Sequence, residues 1–193
     1  MLNIGAFISY ALITTFTPGP NNIMSMTNAS RHGFSRSIRF NYGVFCGFVV
    51  IILLCTLFSA GLYRFIPAIK PVMTLVGAAY ILQLAWKILR SQPKDSEAAE
   101  AMNTFKAGLL LQFVNPKVIL YGITTVSTFI LPYYSSPALL AGFAVLLAFL
   151  GFVGTCSWAL FGAVFQRFLA SHHQVVNTVM SVLLVYCAVS LFL

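Results

Sequence analysis

The chain has 193 residues, of which 60% are hydrophobic and only 7% charged, and its mean hydropathy is +0.92. A soluble domain carries about 25% charged residues, so soluble enzymes, secreted disulfide scaffolds and disordered proteins are excluded. Long continuous apolar runs, in place of short alternating segments, exclude a membrane β-barrel and leave an all-α integral membrane protein.

A spanning helix takes about 20 residues, so six spans fit, forming a single transmembrane domain over 1–193 with no room for a soluble one. The first span runs from about Asn3 towards Ser30 and is interrupted by Thr17-Pro18-Gly19-Pro20. No Lys or Arg precedes it, so it reads as a span and not as a signal peptide. A basic loop with Arg31, His32, Arg36 and Arg39 follows. The second span covers about Tyr42 to Tyr63, and a turn with Arg64, Pro67 and Lys70 leads into a third over about Pro71 to Leu89. Trp86, Lys87 and Arg90 anchor its end at the interface. Ser91 to Thr104 is the long polar stretch. The fourth span, about Phe105 to Leu131, is interrupted by Asn115-Pro116-Lys117. Pro132 to Pro137 makes a tight uncharged turn. The fifth span runs over about Ala138 to Phe168, and the sixth over about Val175 to Leu193.

A net charge of +8 on a soluble chain would suggest nucleic acid. Here it sets orientation, because basic loops stay in the cytoplasm. Alternate loops hold eight Lys/Arg on one side against Arg64 and Lys70 on the other. Both termini are therefore expected outside, in the periplasm of a bacterial inner membrane, and no nucleic-acid partner is expected. The three acids, Asp95, Glu97 and Glu100, share one loop, so no carboxylate lies in a span. Cys46, Cys55, Cys156 and Cys187 sit scattered in apolar runs and read as small hydrophobes. No metal or cofactor is expected.

The chain repeats itself. Pro18 and Pro116 both fall late in the first span of a three-span half; at the same interval Phe7 falls on Phe105, Thr14 on Gln112 and Thr17 on Asn115. An odd number of spans per half inverts one half relative to the other. The expected architecture is two inverted three-helix repeats, about 1–90 and 105–193, joined by a cytoplasmic loop over about 91–104. Interrupted helices at matching positions of inverted repeats point to a transporter binding site.

Each interruption has the chemistry of a helix start. Thr17 and Asn115 are good N-cap types, and proline suits the first helical position. At about 1.5 Å per residue Pro116 lies roughly 16 Å into its span, near the midplane. Two helix N-termini inside the bilayer would attract an anion such as a substrate carboxylate. Gly19 permits close approach of the backbone. Asn21, Asn22, Gln112 and Asn115 supply neutral donors and acceptors, and carbonyls freed at the breaks would suit an ammonium group. The competing reading is that each proline only kinks its helix, with neighbours satisfying the freed carbonyl.

Lys117 is the sharpest residue in the sequence, a charge past the middle of a long apolar run. A central charge costs roughly 2.5–3.5 kcal/mol on insertion scales, and no acid in the membrane offsets it. It meets an anion, faces water, loses its proton, or snorkels to the surface. Other polar groups are weaker candidates. His172 and His173 are adjacent and suit a solvated loop; Tyr80 and Gln83 suit interhelical hydrogen bonds. Gly43-x3-Gly47 reads as a packing face first and a homodimer face second.

Thr-Pro-Gly-Pro-Asn at 17–21 and Asn-Pro-Lys at 115–117 resemble the two signature motifs of the lysine exporter family (LysE/RhtB type). The resemblance extends over nearly the whole chain, through Gly77-Ala-Ala-Tyr-Ile, Leu84-Ala-Trp-Lys-Ile, Leu111-Gln-Phe-Val-Asn and Leu183-Leu-Val-Tyr-Cys-Ala-Val. It implies an inner-membrane amino-acid exporter of six spans, not an enzyme, with Pro18, Gly19, Pro20, Asn115, Pro116 and Lys117 at motif positions. It further implies small neutral substrates such as cysteine and O-acetylserine, with homoserine or threonine as alternatives. Family members are usually driven by protons, but this chain lacks a membrane carboxylate to relay them. Two rivals stand beside the exporter: a membrane redox protein, which needs paired cysteines, and a small channel, which would lack a saturable site.

Overall fold

The computed structural model describes residues 3–90 and 100–192, with side chains at all of these except 59–70, 73 and 170. Residues 91–99 of the expected polar loop, with Asp95 and Glu97, lie outside the described residues. The described chain is helical throughout, and its packing follows from where polar side chains can go. Asn22, Ser25, Asn28, Asn41, Gln112 and Asn115 are buried, whereas Phe149, Leu160, Val182 and Tyr186 are exposed. That polarity is reversed from a soluble protein and suits a lipid surround.

The first span is two helices, α1 (Ile4–Phe16) and α2 (Pro20–His32), separated by an extended Thr17-Pro18-Gly19. Asn3 caps α1 by accepting from the Ala6 N–H. Gly33, with φ +77, ends α2, a conformation that favours glycine. The next element, α3, carries an unbroken helical assignment from Phe34 to Arg90, through the stretch where Arg64, Pro67 and Lys70 predict a turn. It is not straight. A straight helix of 57 residues would be about 85 Å long. Yet Phe40 and Leu84 line one cavity, and both limbs, 34–58 and 71–90, pack on the segment that follows Thr104. The limbs run in opposite directions, as the second and third expected spans require.

That segment comprises α4 (Phe105–Val114), α5 (Pro116–Thr124) and a wider π-helical turn, Thr125–Ile130. Its two parts are bent by 64° at Asn115. Then come α6 (Pro137–Val164), a short α7 (Gln166–Ser171) and α8 (His173–Val189). Among the described residues two helices, Phe34–Phe58 and Pro137–Val164, are long and apolar enough to cross a membrane alone; the bent pair makes a third if counted as one span.

Glycines set the closest contacts. A Cβ on Gly43 would overlap the Phe105 carbonyl oxygen, and one on Gly108 would overlap that of Phe40. Gly47 faces Gln112 and Leu109 in the same way. The Gly43-x3-Gly47 face is thus filled by α4 of the same chain. On the other side Gly154 faces Thr15, and Gly162 faces Met26. Gly43→Ala is expected to destabilise by about 1–3 kcal/mol, because backbone must move. Gly142→Ala, where an added Cβ meets nothing within 4 Å, is expected to be neutral. Melting of the detergent-solubilised variants checks this; equal melting temperatures would show that the helices do not touch at Gly43.

Candidate functional site

The two interruptions meet at the centre of the molecule. At the first, Thr17 and Gly19 are extended, with ψ 149° and ψ 170°, and α2 starts at Pro20 with Gly19 as its N-cap. The expected start at Thr17-Pro18 is corrected by two residues. The reason is the second proline: a residue before proline is driven out of the helical region, so Gly19 cannot join a helix begun at Pro18.

Carbonyls left free by this break are met by side chains. Thr14 O accepts from Thr17 Oγ1 at 3.0 Å, Thr15 O from Asn22 Nδ2 at 2.8 Å, and Phe16 O from Trp158 Nε1 at 3.2 Å. Thr17 O accepts from Asn22 Nδ2 at 2.9 Å and from Lys117 Nζ at 3.2 Å. Lys117 Nζ also donates to Thr17 Oγ1 at 3.0 Å and Pro18 O at 3.3 Å. So the break carbonyls expected to attract an ammonium group hold the protein's own ammonium. Lys117 does not snorkel away; it crosses to the first interruption.

The second interruption has the expected form. Pro116 is the first residue of α5, and Asn115 is its N-cap, accepting from the Lys117 N–H at 3.2 Å. Pro116 has no N–H, and the Lys117 and Val118 N–H groups turn to Asn115. The last carbonyls of α4 therefore receive no backbone donor from the turn that follows. The Pro116 ring is seated on Gly77, where a Cβ would lie 2.5 Å from Cγ.

An amide lattice ties the interruptions together. Asn21 and Gln112 donate to each other, at 2.8 and 3.1 Å, and Asn115 donates to Asn21 at 3.1 Å. Gln112 also donates to Gly108 O at 2.9 Å. Gln112 and Asn115 are fully buried; these amides meet each other's needs, and Asn21 and Asn115 line the central cavity whereas Gln112 does not. Ser25 and Asn41 continue the lattice to α3, with Ser25 Oγ donating to Asn41 Oδ1 at 2.8 Å.

The expectation of two open helix N-termini is also corrected. Asn115 closes α5. Gly19 has no side chain to close α2, and among the described residues the Asn21 and Asn22 N–H groups have no acceptor. They stand at a central cavity of about 50 Å³, with Lys117, Asn115, Thr15, Tyr121 and Thr155 around it. Lys117, Asn115 and Tyr121 also border a second cavity running past Tyr10, Tyr186 and Ser190. The described cysteines are free.

The LysE type translocator family model matches residues 12–193. The chain belongs to that family. The cysteine/O-acetylserine efflux proteins of Escherichia coli (strain K12) and Shigella sonnei (strain Ss046) are each 44% identical to it over 189 residues, covering 98% of this chain and 97% of theirs. No solved structure matches it.

Within this translocator, all ten residues singled out above, Thr17 to Asn22, Gln112 and Asn115 to Lys117, fall in one cluster. Trp158 and Tyr121 join it from outside the two signature motifs. An apolar run with one indole at its centre was the available signal for Trp158, since a buried indole N–H needs an acceptor. Gly19 is explained by a neighbour. A Cβ there would lie 3.0 Å from Lys117 Nζ and 3.1 Å from its Cδ, while φ −172° is open to any residue. Gly19→Ala is expected to shift Lys117 by a few tenths of an ångström and slow transport several-fold. Gly19→Val, whose methyls would occupy the ammonium's place, is expected to match loss of Lys117 itself. Efflux of a radiolabelled amino acid at matched protein level is the readout; full activity in Gly19→Val would show that Lys117 need not stand there.

Proposed function

We propose that this protein exports small neutral amino acids, cysteine and O-acetylserine among them, across a bacterial inner membrane by alternating access. One observation carries the reading: an open helix N-terminus and the ammonium of Lys117 face the same central cavity, formed where two interrupted helices cross. A carboxylate is held by the free N–H groups of Asn21 and Asn22 and by Lys117. The efflux names of the relatives support the direction and the substrates.

The chain is read as six spans in two inverted repeats, about 1–90 and 105–193. The contacts of Gly154 with Thr15 and of Gly162 with Met26 run parallel along the first and fifth spans. Those of Gly43 with Phe105 and of Gly122 with Ile52 and Cys55 do the same for the second and fourth. That pairing is what a two-fold relation between repeats demands. Thr17 to Asn22, Gln112 and Asn115 to Lys117 form the substrate site; the amide lattice among them opens and closes as access alternates.

Export is tested in proteoliposomes preloaded with radiolabelled cysteine and O-acetylserine. Saturable efflux with counter-transport supports a carrier, and linear flux would make the protein a channel. The charge bias places both termini outside. In a cysteine-free background, single cysteines at Ser35, Ser96 and Ser135 then report the sidedness. Ser135 alone is expected to react with an impermeant thiol reagent from outside, and labelling at Ser96 would reverse the orientation.

A further inference from the structure

Tyr121 has no place in either motif, yet it forms the wall between the central cavity and the one running past Tyr186. Its side chain is 3% exposed, and its hydroxyl makes no hydrogen bond among the described residues. The hydroxyls of Thr15 and Thr125 stand beside it. Thr125 is fully buried, and its own hydroxyl is without a hydrogen bond too. Native interiors pair their buried polar groups, and orphans concentrate where something else supplies the partner.

The Tyr121 ring is held from two sides. Tyr10 stacks on it with centroids 5.7 Å apart and planes 8° from parallel, and Phe48 leans against it at 5.7 Å and 57°. The hydroxyl is therefore fixed in place by apolar contacts and not by hydrogen bonds. Thr125 opens the π-helical turn Thr125–Ile130, and such wide turns occur often at functional sites. The cavity thus has two poles. At one lie Lys117 and the start of α2, which suit a carboxylate. At the other lies Tyr121, whose hydroxyl is neutral and able both to donate and to accept, with Thr15 beside it in the lining and Thr125 buried outside the lining.

We propose that the Tyr121 hydroxyl, with Thr125 beside it, selects substrates by hydrogen-bonding the polar atom of the transported amino acid's side chain: a thiol, a hydroxyl or an ester oxygen. The inference rests on the export reading above and extends it from the amino-acid backbone to the side chain. A pocket built to hydrogen-bond a substrate group rejects an analogue that lacks it, because its own polar atoms are then left unpaired.

The test compares cysteine with 2-aminobutyrate, which replaces the thiol by a methyl group and keeps the carboxylate and ammonium. Wild-type vesicles are expected to export cysteine about tenfold faster. Tyr121→Phe keeps the ring stack and removes the hydroxyl; cysteine export is expected to fall about tenfold, with 2-aminobutyrate export unchanged, bringing the ratio near one. Thr125→Val is a second, near-isosteric variant expected to move the ratio the same way. An unchanged ratio in both variants overturns the proposal, whether the two rates fall together or neither moves. Wild-type vesicles that export neither compound would instead sink the export reading.

Discussion

Lys117→Met is expected to reduce active efflux to background while the protein inserts at its normal level. Lys117 joins the two interruptions through three acceptors, Thr17 O, Thr17 Oγ1 and Pro18 O, all within 3.3 Å of Nζ. Hydrogen bonds to a charged group contribute about 1.5–3 kcal/mol, so the lysine holds the first interruption in its extended form. Among the described residues it is also the only cation lining the cavity, and methionine keeps its length while removing the charge. Insertion is spared because the lost charge is the costly part of the span. Lys117→Arg is expected to fail as well. A planar guanidinium cannot replace a compact ammonium in a space where even a methyl on Gly19 would come within 3.0 Å. Wild-type efflux rates in both variants would remove Lys117 from the mechanism; loss in Met with full activity in Arg would mean that charge alone matters there.

How far the site could be read in advance depended on how many local rules competed at each position. At 115–117 one proline follows one good N-cap residue, and the helix starts there. At 17–20 two prolines compete, and the second wins because it bars Gly19 from the helical region. Lys117 stood out from its cost alone, but its partners are carbonyls 99 and 100 residues away, which no local pattern reveals. The amide lattice was visible only as separate polar residues; its pairing of Asn21 with Gln112 depends on the helices crossing. The Gly43-x3-Gly47 spacing announced close packing without naming the partner, which proved to be α4. Tyr121 was silent, because a tyrosine in an apolar span looks like any other until its neighbours leave the hydroxyl without a bond. The reversal within α3 was legible from Arg64, Pro67 and Lys70, since a buried segment cannot carry such residues at its centre, even though the helical assignment continues through them.

Lysine is expected to leave preloaded vesicles at least about 100-fold more slowly than cysteine or O-acetylserine, despite the family's name. The charged and dipolar groups around the cavity favour a carboxylate: Lys117, and the Asn21 and Asn22 N–H groups at the start of α2. Among the described residues the one acid is Glu100, outside the spans and 3.9 Å from Arg39. A side-chain ammonium would thus enter a site with no counter-charge and with a lysine already in it. Burying an unpaired charge costs several kcal/mol even after relaxation. The first interruption offers it no relief, because the carbonyls from Thr14 to Pro18 are each already bonded to a side chain of the protein. Competition gives the cleanest measurement: excess unlabelled lysine on the loaded side should leave cysteine efflux unchanged, whereas unlabelled O-acetylserine should suppress it. Lysine efflux at the rate of the neutral substrates would mean that a carboxylate reaches the cavity during transport, and Asp95, Glu97 and Glu100 are the three residues that could supply it.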